Sequence, residues 1–266
     1  MRSANFRDWE VTSTFTSRTP HGLRDGHLIP LENELLLAGV EYTESPASVT
    51  HQSVLWRSRD GINWDAQYSI GDPNVWIWRV RQRGSVLYAV GYAVDPANGF
   101  IRLYASDDWG YTWRPVSYPV YGYYPNEVDM IWDDDETMHI LVRRDSGGLG
   151  HPTTALLVSA PHPYVSWTSQ DLGIRHACPV TVRMEDGRVV VCGRYYSPSR
   201  TSVSFLDIEQ ATLTEVLEIA RSPTGDTAYP GAVWDKNFGR ILYYNEQISG
   251  ETKVYAAEVL MLGDWE

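Results

Sequence analysis

Short runs of alternating apolar and polar residues, rich in Val, Tyr, Trp and Leu, recur along the whole chain and are broken by Gly, Pro, Asp and Asn. No stretch of ordinary helix length carries apolar residues at three- and four-residue spacing, so the pattern predicts an all-β protein. The runs are themselves periodic. ELLLAGVE, SVLYAVGY, TMHILVR, RVVVCGR and RILYYN end at Glu41, Tyr92, Arg143, Arg194 and Asn245, each end lying 51 residues beyond the last. A period of roughly 40–50 residues with about four strands per repeat marks a β-propeller, whose blades bury their faces only against one another. Five repeats predict a five-bladed propeller with 51 residues per blade, forming a single domain over residues 1–266.

Within the first repeat, RDGHLIPL reads as the inner strand, followed outward by ELLLAGVE, HQSVLWRS and DAQYSI. The fifth repeat runs out after TKVYAAEVLM at 252–261, one strand short, while WEVTSTF at 9–15 stands before the first inner strand without a partner. The expectation is that this N-terminal strand closes the last blade, which would remove two open sheet edges together. At the hairpin between third and outer strands lie SRDGINW (58–64) and SDDWGYTW (106–113), and a third repeat keeps only Ser159 and Trp167 of that pattern. Asp there suits turn amides, Gly a positive φ and Trp an apolar seam, so Ser58, Asp60, Ser106, Asp108 and Trp113 read as fold-forming residues.

Function is sought where the inner strands begin, because those starts converge on one face of a propeller. The period places Asp25, Trp76, Glu127, Cys178 and Tyr229 there, a chemically mixed set that a purely structural layer would not need. A formal charge of −12 argues against a general nucleic-acid binder, which needs a basic face. The longest apolar runs are too short to span a membrane, and MRSANFRDWE lacks the apolar core of a secretory signal, which points to a soluble chain. Cys178 and Cys192 sit in apolar runs and read as buried thiols. The acidic run at 133–136 reads as a solvated turn, and no metal or cofactor is expected.

The two hairpin stretches resemble the Asp-box repeat of sialidases: SDDWGYTW fits Ser-x-Asp-x-Gly-x-x-Trp throughout, and SRDGINW is one residue short. The resemblance extends to motif order. Sialidases, which carry one blade more, have an Arg in the first blade, a Glu followed by an Arg in a middle blade, and a Tyr opening a late one. This chain offers Arg24 in LRDGHLIPL, Glu127 and Arg143 in NEVDMIWDDDETMHILVRR, and Tyr229 in TAYPGAVW, with Arg200 as a third arginine and Arg194 as its competitor. The resemblance implies hydrolysis of terminal acidic sugars: the guanidiniums hold a carboxylate, Tyr229 attacks, and Glu127 takes the phenol proton. Trp76, Trp78, Tyr123 and Tyr124 would offer faces to sugar rings. The loop at 42–52, where sialidases place an Asp acid/base, contains no Asp, leaving Glu44 or His51 for that role.

Other readings stay open. Tyr229 also reads as a packing residue, and Arg143 and Arg144 as partners of the acidic run or of Asp145. Five-bladed inverting pentosidases are similar too, with Asp25 as base and Glu127 as acid, although Trp76 occupies the place of a further Asp. A non-catalytic glycan-binding propeller within a larger assembly, such as a viral tail or a surface adhesin, is the third reading. In all three the partner is a carbohydrate or glycoconjugate.

Overall fold

The structure, a computed structural model, describes residues 1–18, 22–43, 48–236 and 238–261. Five antiparallel sheets follow one another, each a meander in chain order. The first holds β1 (Leu23–Pro30), β2 (Leu35–Tyr42), β3 (His51–Ser58) and β4 (Tyr68–Ser69). The second holds β5 (Val75–Arg83), β6 (Val86–Ala93), β7 (Phe100–Ser106) and β8 (Arg114–Tyr121). The third holds β9 (Pro125–Trp132), β10 (Met138–Arg144), β11 (Leu156–Ala160) and β12 (Thr168–Asp171). The fourth holds β13 (His176–Arg183), β14 (Val189–Tyr195), β15 (Arg200–Asp207) and β16 (Thr212–Arg221). The last holds β17 (Thr227–Asp235), β18 (Phe238–Glu246) and β19 (Thr252–Leu260). This is the all-β, five-bladed propeller fold that the 51-residue period predicts, one sheet to a repeat.

The chain divides into two compact units, Met1–Asn126 with Gly147–Leu149, and Glu127–Ser146 with Gly150–Glu266. In the first unit, Ile29, Leu36 and Leu55 of the first sheet pack on Ile77, Leu87 and Tyr104 of the second. In the second unit, Val189 and Val191 of β14 pack toward Leu141 and Leu157 of the third sheet, while Val190 and Cys192 pack toward Ile241 and Tyr243 of the last. The run VVVC at 189–192 is therefore apolar at every position because both faces of its sheet are covered. Polar links fix the stacking. Asp129 of β9, fully buried, accepts the Thr181 amide of β13 at 2.7 Å, and Thr201 of β15 bonds Thr227 of β17 at 2.8 Å.

Four of the inner strands begin with an irregularity in register, at Arg24/His27, Ile77/Arg79, Ala177/Val180 and Ala228/Gly231. Three of the period positions, Asp25, Cys178 and Tyr229, take left-handed φ of 51°, 52° and 46° there. A non-glycine residue in that region costs about 1–3 kcal/mol and re-aims its side chain. The neighbouring second strand makes room with glycine: a Cβ on Gly91 would stand 2.8 Å from the Trp76 carbonyl oxygen, and one on Gly193 2.7 Å from that of Ala177.

The expected closure of the last blade by residues 9–15 does not occur. Among the described residues the last sheet has three strands, and residues 9–15 add no strand to it. The N-terminal segment instead turns back on itself through an Arg2–Glu10 bridge and lies on the first sheet. Phe15 meets Trp56 and Trp64 edge-on at 5.1 and 5.3 Å, and Ser13 donates to the Ile62 carbonyl at 2.7 Å. The physical reason is local: β4 is only two residues long, so the aromatic slot beside it is left for the preceding chain to fill.

Both box turns are built by their Ser and Asp. Asp108 accepts the Thr112 amide at 2.9 Å and its hydroxyl at 2.6 Å, Ser106 accepts the Gly110 amide at 2.7 Å, and Trp113 donates to the Gly110 carbonyl at 3.0 Å. In the shorter box, Asp60 takes the Ile62 and Asn63 amides at 2.8 and 2.7 Å. In the third repeat, Trp167 donates to the Tyr164 carbonyl at 3.1 Å, with Tyr164 in the left-handed region in place of glycine.

Two expectations follow from this architecture. The bonds from Thr112 and Ser106 lower the Asp108 carboxyl to about 2. Its stabilisation is therefore present above the unfolded value of about 3.9 and lost as pH falls through the folded one. Melting curves of wild type and Asp108→Ala, separated at neutral pH, should converge toward the low end of that window. Gly193→Ala drives a methyl into the Ala177 carbonyl and the His176 ring, and urea titration should show a loss of about 1–3 kcal/mol or more.

Candidate active site

The second unit gathers the chemistry. Tyr229, turned out of register at the head of β17, donates its phenol proton to Glu127 Oε1 at 2.6 Å. Glu127 opens the third sheet and is only 5% exposed. Arg143, at the end of the neighbouring β10, bonds the same Oε1 at 2.6 Å and the Tyr229 oxygen at 3.3 Å, while its other arm reaches Asp145 at 2.5 Å. One carboxylate oxygen thus receives both a phenol and a guanidinium, within hydrogen-bond reach of each other.

A second arginine stands near the phenol ring. Arg194, at the end of β14, lies 5.3 Å from the Tyr229 ring centre and is held by the Thr227 carbonyl, Asp226 and the Tyr244 hydroxyl at 2.7, 2.7 and 3.0 Å. Tyr244 stacks on Tyr229 with centres 5.7 Å apart, and Tyr244 also bonds Asp226. Arg175, just before β13, lies 3.9 Å over the Tyr196 ring and 3.7 Å from Asp145, and Arg194 stands 6.0 Å from the same ring.

Burial, assisted by Cys178 and the Glu127 charge and opposed by Arg143, holds the Tyr229 phenol well above the ordinary tyrosine value. The phenol therefore keeps its proton across the neutral range, donating it in a hydrogen bond to Glu127. Burial alone would lower the Arg143 value, but Glu127 and the surrounding tyrosines more than reverse this, so the guanidinium is firmly charged. Cys178, fully enclosed, is pushed up to about 12 by burial, as is Cys192, and both thiols are free.

The remaining sequence candidates lie elsewhere. Arg200, taken as the third arginine of the cluster, is bound to Glu215 of the outer strand β16, whereas its competitor Arg194 stands beside Tyr229. Arg144 pairs with Asp171, and the acidic run serves its own turn, Asp133 meeting His139 and Arg183. In the first unit, Arg24 covers the Tyr42 ring at 4.6 Å beside the left-handed Asp25. Trp76 is buried between His51 and Tyr92, 5.1 and 5.8 Å away, with Trp78 beside it. His51 is shifted down by burial and by the Arg24 charge, which leaves it a poor proton donor at neutral pH. Glu44 lies outside the described residues. Tyr124 is half-buried, next to Gly147, and Tyr123 is exposed with a φ of 60°. Among the described residues no group of three or more His, Cys, Asp or Glu could hold a metal, and no helix is long and apolar enough to cross a membrane.

Reasoning from the period missed Arg175, Asp226, Tyr196 and Tyr244 as members of the cluster. Tyr244 and Tyr196 stand next to the period positions Asn245 and Arg194, in the runs YYNE and GRYYSP, which is a signal of sorts. Arg175 and Asp226 lie in connections, where no repeat marks them.

No family model matches the chain, and no curated protein matches it. Solved structures do. A Dyadobacter fermentans protein of unknown function superposes with a TM-score of 0.82 at 20% identity, covering 98% of this chain and 82% of that one. An α-L-arabinofuranosidase from Fusarium graminearum bound to an iminosugar inhibitor gives a TM-score of 0.64 at 18% identity, over 90% of this chain and 78% of that one. A Trypanosoma rangeli sialidase bound to sialic acid gives 0.63 at 14%, over 88% of this chain but only 44% of the sialidase. At these identities the likeness shows the propeller fold, which several glycosidase families share.

Removing the candidate nucleophile should leave the high-pH phenol titration unchanged near the ordinary value. Ultraviolet difference titration of wild type against Tyr229→Phe should show no tyrosine ionising near pH 10, the unperturbed value for a phenol; a lost transition there would mean that Tyr229 is solvated.

Proposed function

We propose that the protein is a sialidase-like glycoside hydrolase, with Tyr229 as nucleophile and Glu127 as the base that activates it. The observation that carries this reading is the 2.6 Å hydrogen bond from the half-buried phenol to the carboxylate, with Arg143 bonded to both oxygens. Tyr229 Oη attacks the anomeric carbon while its proton moves to Glu127 Oε1, and the bond to the leaving oxygen breaks, an aryl oxide departing as the anion and an alkoxide taking its proton from solvent water. Arg143, bonded to the phenol oxygen, and Arg194, near the ring, then stabilise the negative charge that develops on the phenol oxygen as its proton moves to Glu127, whose own charge is neutralised. A neutral phenol suits a substrate bearing a carboxylate at its anomeric carbon, because an anionic nucleophile would be repelled. The glycosidase names among the similar folds agree with a carbohydrate substrate.

Aryl glycosides of 2-keto sugar acids test the reading, because an aryl leaving group departs without a strong proton donor. Tyr229→Phe should abolish turnover while preserving the fold, and Glu127→Gln should lower kcat by about 10²–10⁴-fold, the usual worth of a general base. Mass spectrometry of wild type treated with a fluorinated analogue that slows the second step should show one added glycosyl group, absent from Tyr229→Phe. Wild type that binds acidic sugars without cleaving any glycoside would leave a glycan-binding propeller in place of the enzyme.

A further inference from the structure

Strand register does not by itself aim Tyr229. β17 and β18 pair at Thr227↔Asn245 and Ala228↔Tyr244, and again from Gly231↔Leu242 onward, with the register shifted between the two stretches. Ala228 and Tyr229 enter that shift with φ of 82° and 46°. A side chain leaving a strand at such an irregularity is directed by what it packs against. Glu127 and Arg143 grip the hydroxyl end of Tyr229, at 2.6 and 3.3 Å. Its ring lies on Tyr244, the cross-strand partner of Ala228, with centres 5.7 Å apart and planes 17° from parallel.

Tyr244 is itself held at three points. Its hydroxyl donates to Asp226 and accepts from Arg194 Nη2 at 3.0 Å, and its backbone carbonyl accepts the Thr227 hydroxyl at 2.9 Å. Burial and the bond to Asp226 keep the Tyr244 phenol above the ordinary tyrosine value, so it retains the proton that this bond needs. An aromatic ring tied at its tip is a firmer backing than an aliphatic side chain free to change rotamer.

We propose that Tyr244 is a positioning residue: its ring holds the phenol of Tyr229 against Glu127, and its hydroxyl, bonded to Asp226 and Arg194, keeps that ring in place. This rests on the reading of Tyr229 as nucleophile, but the ring contact is measurable without turnover.

Kinetics on aryl glycosides of 2-keto sugar acids and the phenol titration together test it. Tyr244→Leu removes the ring and should lower kcat by about tenfold or more while KM changes by less than about twofold, the pattern of a misplaced reacting group and not of a lost substrate contact. Tyr244→Phe keeps the ring and should recover most of that loss, a rescue that general loosening of the sheet would not give. Asp226→Ala, in the exposed connection before β17, leaves both rings and frees the Tyr244 hydroxyl. It should give a kcat between wild type and Tyr244→Leu, and it carries the test should Tyr244→Leu not fold.

The titration needs no substrate. Difference spectra of Tyr244→Leu against Tyr244→Leu/Tyr229→Phe should show one tyrosine ionising near the ordinary value of about 10, because water reaches the uncovered phenol; Tyr244→Phe against Tyr244→Phe/Tyr229→Phe should show none. Full kcat in Tyr244→Leu or in Asp226→Ala overturns the proposal. So does a Tyr244→Phe as slow as Tyr244→Leu, or a Tyr229 that titrates alike in both pairs. A wild type that cleaves no glycoside while the two titration pairs differ as expected sinks the hydrolase reading alone.

Discussion

The fourth sheet carries apolar side chains on both faces, Val189 and Val191 on one and Val190 and Cys192 on the other, and so must be covered twice. Burying such a strand on one side only would leave several large aliphatic groups in water at about 1.5–3 kcal/mol apiece. Stacking of sheet on sheet follows from this, and it leaves the ends of the strands as the places where polar chemistry can stand. Side-chain links such as Asp129 to the Thr181 amide then set how one sheet sits on the next, since apolar contact alone is not directional. The carboxylate of Asp129 is fully buried, and it is tolerable there because backbone donors from Met130 and Thr181 meet its two oxygens.

The cluster around Tyr229 inherits its precision from that framework. Glu127, Arg143, Arg194 and Tyr229 stand on four different strands, so their mutual distances are fixed by sheet packing and not by a mobile loop. Within the cluster the buried charges have opposite neighbours: Glu127 pairs with Arg143, which also holds the half-buried Asp145, and Arg194 pairs with the exposed Asp226. An ion pair of this kind adds little to stability once desolvation is counted, and the Glu127–Arg143 pair is also bonded to the phenol of Tyr229 and bears on its proton affinity.

The strand plan was legible because it is periodic. Glu41, Tyr92, Arg143, Arg194 and Asn245 all fall on second strands, and Asp25, Trp76, Glu127, Cys178 and Tyr229 on first ones. Glu127, Arg143, Arg194 and Tyr229 could be brought together from that register alone. What the period does not encode was not legible. Arg200 sits at the head of a third strand, where an acidic outer strand captures it, and Arg175 lies in a connection whose course no repeat dictates. The N-terminal segment departs from the expected pairing for a related reason: the count of strands points to the last blade, whereas Phe15 is placed by an aromatic slot between Trp56 and Trp64 that only side-chain packing creates.

A sheet of three strands among sheets of four leaves β19 with a neighbour on one side only among the described residues. Its free backbone donors and acceptors form a template on which a strand of another molecule could add, the route by which soluble β proteins assemble into fibres. The sequence of that strand meets the hazard with charge: Lys253 near its start and Glu258 near its end are both exposed, and Glu251 stands just ahead of it. An incoming apolar strand would have to bury one of these ions against its own side chains. Among the described residues the border of the last sheet is thus made uninviting by charge, a form of protection that persists at any protein concentration and costs the interior nothing.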